Sequence, residues 1–156
     1  MNDETPSAPL RRTGRSLPIA LLRARETVMG PIRDMLATSG VNEQKWRVLR
    51  VLDERGPLEL THLAGQACLL LPSLTRIVRA MEDEQLIARA TPASDRRKTI
   101  VQITDAGRAV ILAHAGDSKA IFAQLEQSFG YDNLETLLDL LETLQTVDLK
   151  SEAAVK

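Results

Sequence analysis

The sequence has little of several features on which familiar protein classes depend. Its single cysteine, Cys68, excludes an internal disulfide bond, and aromatic residues make up only 3% of the chain, so the core has to be aliphatic. No segment approaches the roughly 20 apolar residues that a membrane helix requires. The first 15 residues contain arginines but no apolar stretch of the kind found in signal peptides. We therefore expect a cytoplasmic protein that does not contact a membrane.

The residue patterns of common enzyme sites are also missing. His62 and His114 are isolated, and with one cysteine they give no metal-ligand spacing. No glycine-rich phosphate loop and no nucleophile with a nearby base occur at usable spacing. We therefore predict that the protein is not an enzyme and that it uses no metal and no cofactor.

The formal net charge of −1 hides an uneven distribution of charge along the chain. Residues 117–156 carry eight acidic and three basic residues, which sum to −5 and leave +4 for residues 1–116. Binding to phosphate depends on the local field and not on the total charge, so this gradient is compatible with a nucleic-acid partner. A length of 156 residues is typical of one domain.

The first 40 residues divide into two segments. Residues 1–15 are polar and contain three arginines, which predicts a flexible basic arm. Residues 16–40 have apolar side chains at steps of three or four, which predicts an N-terminal dimerisation helix capped by Ser16. Gly30 and Pro31 should kink or split this helix, because proline lacks a backbone N–H donor and clashes with the preceding turn.

The middle of the chain, residues 41–103, has the pattern of three helices followed by two strands. Asn42 is a candidate cap for the first of these helices. The predicted helices cover residues 42–55, 59–67 and 72–85, and the predicted strands cover 87–90 and 99–103. This order is typical of a winged helix-turn-helix, so we predict a mainly α fold with a two-stranded β wing that binds double-stranded DNA.

Residues 104–156 are predicted to form C-terminal dimerisation helices. Thr104 caps a helix that extends to about Phe129, and Asp132 with Glu135 resembles a capping box for a final helix. The final helix carries a broad apolar stripe, formed by Leu134, Leu137, Leu138, Leu141, Leu144 and Val147. Exposed stripes of this extent usually meet a partner, so we expect a homodimer built from the first and last helices. The alternative is a stripe that packs against its own chain.

The helix predicted over 72–85 has one apolar face and one polar, basic face. The apolar side chains are Leu74, Ile77, Val78 and Met81, and the polar ones are Ser73, Thr75, Arg76 and Arg79. In a helix-turn-helix the second helix enters the major groove, which makes Ser73, Thr75 and Arg76 candidates for base contacts. Arg76 could donate two hydrogen bonds to a guanine, while Arg79 is better suited to a phosphate. The alternative is an ordinary solvated face.

The turn between the two predicted strands carries four charged residues, Asp95, Arg96, Arg97 and Lys98. Arginine is planar and weakly hydrated, so Arg96 and Arg97 can enter a narrow minor groove. Asp95 would repel DNA, and we expect it to hold the turn by capping it or by pairing with Arg97.

With these elements in place, the chain resembles the MarR family of winged-helix transcriptional regulators over about residues 16–147. The resemblance rests on SLTRIVRAMEDEQLIAR, on the wing DRRKTIVQIT with its Asp-x-Arg at Asp95 and Arg97, and on TDAGRAV. It implies that the helix with Ser73, Thr75 and Arg76 lies in the major groove, that Arg97 enters the minor groove, and that the terminal helices of two chains interlock. The match departs at residues 70–72, where many relatives have a polar capping segment and this chain has Leu-Leu-Pro.

Three segments, SLPIALLRARETVMGPIRDML, NEQKWRVLRVL and ACLLLPSLTR, are similar to the subgroup that represses the homoprotocatechuate (hydroxyphenylacetate) degradation operon. This resemblance implies a ligand-responsive repressor with a small aromatic acid as effector. The carboxylate of such a ligand needs a cation and its ring needs an apolar wall. Arg15, Arg23 and Arg25 are candidate cations and Trp46 is a candidate wall, although each is also explained by a structural or DNA-facing role.

Two other interpretations stay open at this point. Some relatives in the family respond to peroxides through a cysteine, but Cys68 lies in the apolar context Ala-Cys-Leu-Leu, which favours inert packing. A helical protein-interaction module with a basic face is the alternative from another functional class. The regulator that we favour is a homodimer on a pseudo-palindromic operator with half-sites about 10 bp apart. The direction of its response to an effector is not fixed by the residues.

Overall fold

The computed structural model describes residues 10–149. Within them a 3₁₀ turn, six α-helices and three short strands follow one another, and the chain divides into two compact units at Ala115. The elements are α1 (Leu17–Leu36), α2 (Glu43–Arg55), β1 (Leu58–Glu59), α3 (Leu60–Gln66), α4 (Leu71–Asp83), β2 (Ile87–Ala90), β3 (Ile100–Ile103), α5 (Asp105–Phe129) and α6 (Tyr131–Gln145). The predicted mainly α winged helix-turn-helix is confirmed.

The core of the first unit is aliphatic, as the shortage of aromatic residues requires. α2 and α4 each bury one side, and strand β3 adds Val101, which is fully buried. The fully buried large side chains are Val48, Leu49, Leu52, Leu63, Leu74, Val78, Met81 and Val101. Four of these side chains lie on α2 or β3, and three lie on α4. The position of α4 is therefore set by the close packing of its buried side chains, and its exposed face has no part in it.

The three strands form one antiparallel sheet in the order β1-β3-β2. β2 and β3 form the predicted hairpin, in which Ile87 lies opposite Ile103 and Ala90 lies opposite Ile100. The two-residue strand β1 pairs with β3 through Leu58 and Val101, and the sequence analysis did not predict it. This third strand ties the base of the wing to the start of α3.

Two predicted helix caps are confirmed by hydrogen bonds. The Asn42 side-chain oxygen accepts from the backbone N–H of Lys45 at 2.9 Å, and the Thr104 hydroxyl accepts from the N–H of Gly107 at 3.1 Å. Gly107 is needed at this position, because a Cβ there would overlap the carbonyl oxygen of Leu86. The start of α5 therefore packs tightly against the residue that precedes β2.

The structure corrects several predicted details of the helices that flank this region. α1 continues through Pro31, so the predicted split is wrong, and Ser16 holds the N-cap position without a side-chain hydrogen bond. The capping box at Asp132 is also wrong. The N-cap of α6 is Gly130, at φ 94°, which places Asp132 inside the first turn. α6 ends at Gln145, so Val147 lies beyond the helix.

The predicted basic arm, residues 1–15, is described only from residue 10, and residues 1–9 lie outside the described part of the chain. Its last residues, Thr13–Arg15, form the 3₁₀ turn before α1. None of the helices within residues 10–149 is long and apolar enough to cross a membrane.

Candidate nucleic-acid interface

The helix-turn-helix consists of α3, a tight turn and α4. Cys68 lies in this turn with a left-handed backbone, φ 51°. Arg47 of α2 holds the turn from the side, since its Nη1 donates to the carbonyl oxygens of Ala67 at 3.0 Å and Cys68 at 3.4 Å. The side chain of Cys68 is exposed, so the packed, apolar environment predicted for it is wrong.

α4 presents the predicted polar face to solvent. Its buried residues are the four that the sequence analysis assigned to the core, Leu74, Ile77, Val78 and Met81. Arg76 and Arg79 are exposed, and neither forms a hydrogen bond or ion pair within residues 10–149. Ser73 and Thr75 are only half-exposed, and the Thr75 hydroxyl donates back to the carbonyl oxygen of Leu71 at 2.9 Å. The two arginines are therefore the groups of this face that are free to meet an anion.

The wing tip has the geometry that the sequence suggested for Asp95. Its Oδ1 accepts from the backbone N–H of Arg97 at 3.0 Å and lies 3.4 Å from the Nε of the same residue. Asp95 thus both caps the turn and orients the guanidinium of Arg97. The Arg97 side chain is 93% exposed, Arg96 is exposed, and the Nζ of Lys98 lies 3.9 Å from a carboxylate oxygen of Glu59.

Ion pairs connect the C-terminal end of α4 to its neighbours. Arg89 of β2 donates from Nε to Glu82 at 2.8 Å, and Lys45 of α2 donates to Glu84 at 2.6 Å. The hydrogen bond from Arg89 lowers the pKa of the Glu82 carboxyl below its ordinary value. The acidic residues at the end of α4 therefore attach the wing strand and α2 to the helix.

The residues proposed for an effector have different surroundings. Arg25 pairs with Glu43 and with Glu26, so its charge is already balanced. Trp46 is 8% exposed and makes an edge-to-face contact with the ring of His114, with ring centroids 5.9 Å apart at 85°. Arg15 and Arg23 are exposed. Within residues 10–149, no hydrogen bond, ion pair or ring contact joins any two of these four side chains.

The ion pairs of Arg25 are part of a four-residue network between α1 and the first turn of α2. Arg33 pairs with Glu26, and its Nη1 lies 3.3 Å from Glu43. Burial raises the pKa of the Glu43 carboxyl, but hydrogen bonds from Arg25 and Arg33 outweigh this effect and hold the pKa below its ordinary value. An open cleft of about 370 Å³ adjoins this network, and its lining includes Arg33, Gly40 and Glu43 but none of the four predicted effector residues.

Several leucines remain exposed on the terminal helices. On α1, Leu17, Leu21 and Leu22 are 53%, 41% and 64% exposed. On α6, no residue is buried, and the predicted stripe is either half-buried or exposed, with Leu137 at 39% and Leu138 at 45%. Within the described residues, no group of three or more histidine, cysteine or acidic side chains could hold a metal ion.

Comparison with known proteins identifies the family. The model of the MarR family matches residues 41–99. The homoprotocatechuate degradative operon repressor of Escherichia coli is 36% identical over 127 residues, which cover 81% of this chain and 86% of that protein. The chain belongs to the MarR family. It is a transcriptional regulator, as the sequence analysis predicted.

Two solved structures of MarR-type regulators are informative about ligands. NadR in complex with 4-hydroxyphenylacetate is 31% identical, with a TM-score of 0.77, and the alignment covers 90% of this chain and 100% of NadR. CouR bound to a 23-mer DNA duplex is 28% identical, with a TM-score of 0.73 and coverage of 88% and 99%. The fold of this MarR-family chain is therefore one that has been seen with DNA and with an aromatic acid.

The sequence analysis overlooked Arg50 as a candidate site residue. Arg50 follows Trp46 by one helical turn on α2, is exposed, and forms no ion pair or hydrogen bond within residues 10–149. Residues four apart on a helix lie on the same face. The i, i+4 spacing from the single tryptophan is the sequence signal that points to Arg50.

Proposed function

We propose that this chain is a homodimeric repressor that binds a pseudo-palindromic operator and is released by a small aromatic acid of the hydroxyphenylacetate type. It acts by binding and not by catalysis, in the cytoplasm, on an operon for aromatic-acid breakdown. The observation that carries the proposal is the set of exposed arginines on α4 and the wing, in a chain 36% identical to a repressor of such an operon.

The DNA contacts follow from exposure and from the fixed geometry of the two elements. Arg76 near the start of α4 donates two hydrogen bonds to a guanine, and Arg79, one turn later, contacts a phosphate. Ser73 and Thr75 add weaker contacts as acceptors. Arg97, oriented by Asp95, enters the minor groove. Arg96 and Lys98 flank it and contact phosphates.

The homodimer brings two such sets of contacts to one duplex. Its interface uses the exposed leucines of α1 and the apolar stripe of α6, since a monomer in water would leave both uncovered. Twofold symmetry then places the two α4 helices about one turn of DNA apart, or ~34 Å. A pseudo-palindromic operator is the matching DNA site.

For the effector, Trp46 and Arg50 are the residues that this chain supports best. The small part of Trp46 that is exposed, 8% of the residue, would offer an apolar wall for the aromatic ring, and the unpaired guanidinium of Arg50, one turn later on α2, would offer a partner for the carboxylate. Arg25 is less suited because Glu26 and Glu43 already neutralise it. Arg15 and Arg23 remain candidates for a supporting contact.

The decisive experiment begins with selection of bound duplexes from a random pool by the purified protein. We expect a pseudo-palindromic consensus and release of that duplex by 4-hydroxyphenylacetate, measured by fluorescence anisotropy. Arg50→Ala should keep DNA affinity and lose the response to the ligand, while Arg55→Ala, a matched change at the end of the same helix, should keep both. A protein that enriches no sequence would instead be an interaction module for an acidic partner, and the proposal would fail.

A further inference from the structure

The start of α4 carries two exposed leucines where helices usually have a polar cap. Leu70 is at the N-cap position, makes no side-chain cap hydrogen bond and is 77% exposed. Leu71 begins the helix and is 41% exposed, and Pro72, also exposed, completes an apolar N-terminal turn. Serine, threonine, aspartate and asparagine stabilise an N-cap relative to apolar residues, so this choice has a cost in stability.

The two leucines are held in place by the backbone around them. The N–H of Leu69 donates to the carbonyl oxygen of Ala64 at 3.0 Å, and the carbonyl oxygen of Leu70 accepts from the N–H of Leu74 at 2.9 Å. Arg47 fixes the carbonyl oxygens just before them. Because the backbone is already fixed, only the side-chain rotamers of the two leucines have to be ordered when they are covered, which favours a role in binding.

We propose that Leu70 and Leu71 contact thymine methyl groups on the floor of the major groove and that this contact sets part of the operator sequence. The proposal rests on the function proposed above. In a helix-turn-helix the N-terminal residues of the second helix approach the base edges, and the thymine C5-methyl is the apolar group that a base pair presents in the major groove. Ser73 is half-buried and the Thr75 hydroxyl already donates to Leu71, so polar contacts at this end are weak.

The charge around the leucines favours DNA as the occupant over an apolar protein surface. Arg76 follows Pro72 by one helical turn, and Arg79 follows one turn further along. Both guanidinium groups are exposed and unpaired within residues 10–149. An apolar protein partner would have to cover these charges without neutralising them, whereas DNA offers methyl groups and phosphates within the same groove.

The test compares the selected operator with the same duplex in which deoxyuridine replaces every thymine, which removes the methyl groups and keeps base pairing. Burial of one methyl-sized group stabilises by ~0.8 kcal/mol, so one lost contact in each half-site should weaken binding about 15-fold. The variant L70A/L71A should bind the thymine operator about 15-fold more weakly than the wild-type protein does. Replacing thymine by deoxyuridine should then weaken the binding of this variant no further. Leu10→Ala, a change at a leucine that is 99% exposed in the same unit, should behave as wild type.

The possible outcomes separate this proposal from the function on which it rests. If the wild-type protein selects an operator but binds the thymine and deoxyuridine duplexes equally, the methyl contact does not exist and the repressor assignment stands. The same holds if L70A/L71A keeps the full deoxyuridine penalty. If no operator is selected at all, the DNA-binding function itself fails. An unchanged midpoint of thermal unfolding for the variant shows that its loss of affinity is a loss of contact.

Discussion

The two compact units of this chain differ in how much of their apolar surface they bury. Up to Ile111 the chain has a core that includes Leu49, Leu74 and Val101, each fully buried. From residue 112 to residue 149 no side chain is buried, although α6 is rich in leucine. The first unit therefore has a buried core of its own, and the second has an exposed apolar surface of the kind that commonly meets a partner.

Charge separates the same two regions. Residues 1–116 sum to +4 and residues 117–156 to −5, so the basic residues lie with the helix-turn-helix and the acidic ones with α6. A phosphate backbone is attracted to the first region and repelled by the second. The charge difference favours DNA binding by the first region, whereas the exposed apolar surface includes both α6 and the leucines of α1.

The largest expected effect comes from charging the apolar stripe of α6. Leu138→Glu with Leu141→Glu should convert the dimer to a monomer, because two carboxylates would be buried in an apolar interface. Operator affinity should then fall about a thousandfold, since both halves of the operator no longer bind as a unit. Sedimentation and fluorescence anisotropy measure the two effects. Thr136→Glu with Thr143→Glu adds the same two charges on the opposite side of α6, and an equal loss with this variant would show that charge alone is responsible.

The core of the first unit gives the next largest effect. Leu49→Ala should lower the free energy of unfolding by about 3 kcal/mol, the usual consequence of a cavity at a fully buried leucine. Leu70→Ala, at a leucine of the same unit that is 77% exposed, should change it by less than about 0.5 kcal/mol. Urea denaturation at one fixed protein concentration measures both. Equal losses would mean that the boundary between core and surface is misplaced.

Local signals in the sequence were enough to predict much of the first unit. The Asn42 cap, the apolar face of α4 and the strand over 87–90 each depend on residues within one or two turns of each other, and all three are confirmed. The capping role of Asp95 is equally local, because its partner is Arg97. Short-range patterns of this kind do not require knowledge of the tertiary structure.

The features that were missed depend on residues far apart in the chain. Strand β1 exists because Leu58 pairs with Val101, and two residues give no periodicity to recognise. The exposure of Cys68 follows from a turn that Arg47 holds from another helix. Arg25 is less available to an effector because it pairs with Glu43, which is 18 residues away in the sequence. The apolar residues next to Cys68 and the charge of Arg25 alone could not predict these long-range contacts.

Within the basic region, the two arginines of the DNA contacts should differ in kind. Arg76→Ala should weaken operator binding about 30-fold for each half-site and relax the preference for one guanine, because a bidentate base contact contributes about 2 kcal/mol. Arg79→Ala should weaken operator and random DNA alike and reduce the slope of log affinity against log salt by about 1 for each half-site. Titrations at several salt concentrations separate the two. A uniform loss with Arg76→Ala would move that residue from the base edges to the phosphates.

The smallest expected effect concerns the ion pairs between α1 and α2. The pKa of Glu43 is lowered in the folded chain, so the carboxylate stabilises the fold above the pKa of the unfolded state, and this contribution is lost as the pH falls through the folded pKa. The arginines of these pairs are 45% and 40% exposed and Glu43 is 18% exposed, so solvent still screens the pairs; their contribution should be about 1 kcal/mol or less and should shrink at high salt. Glu43→Gln should remove this contribution, so the free energy of unfolding should depend less on pH below about 5. Glu54→Gln, at an exposed carboxyl on the same helix without a partner within residues 10–149, should leave it unchanged. If both variants keep the wild-type profile, the network of Arg25, Arg33 and Glu43 does not stabilise the folded unit.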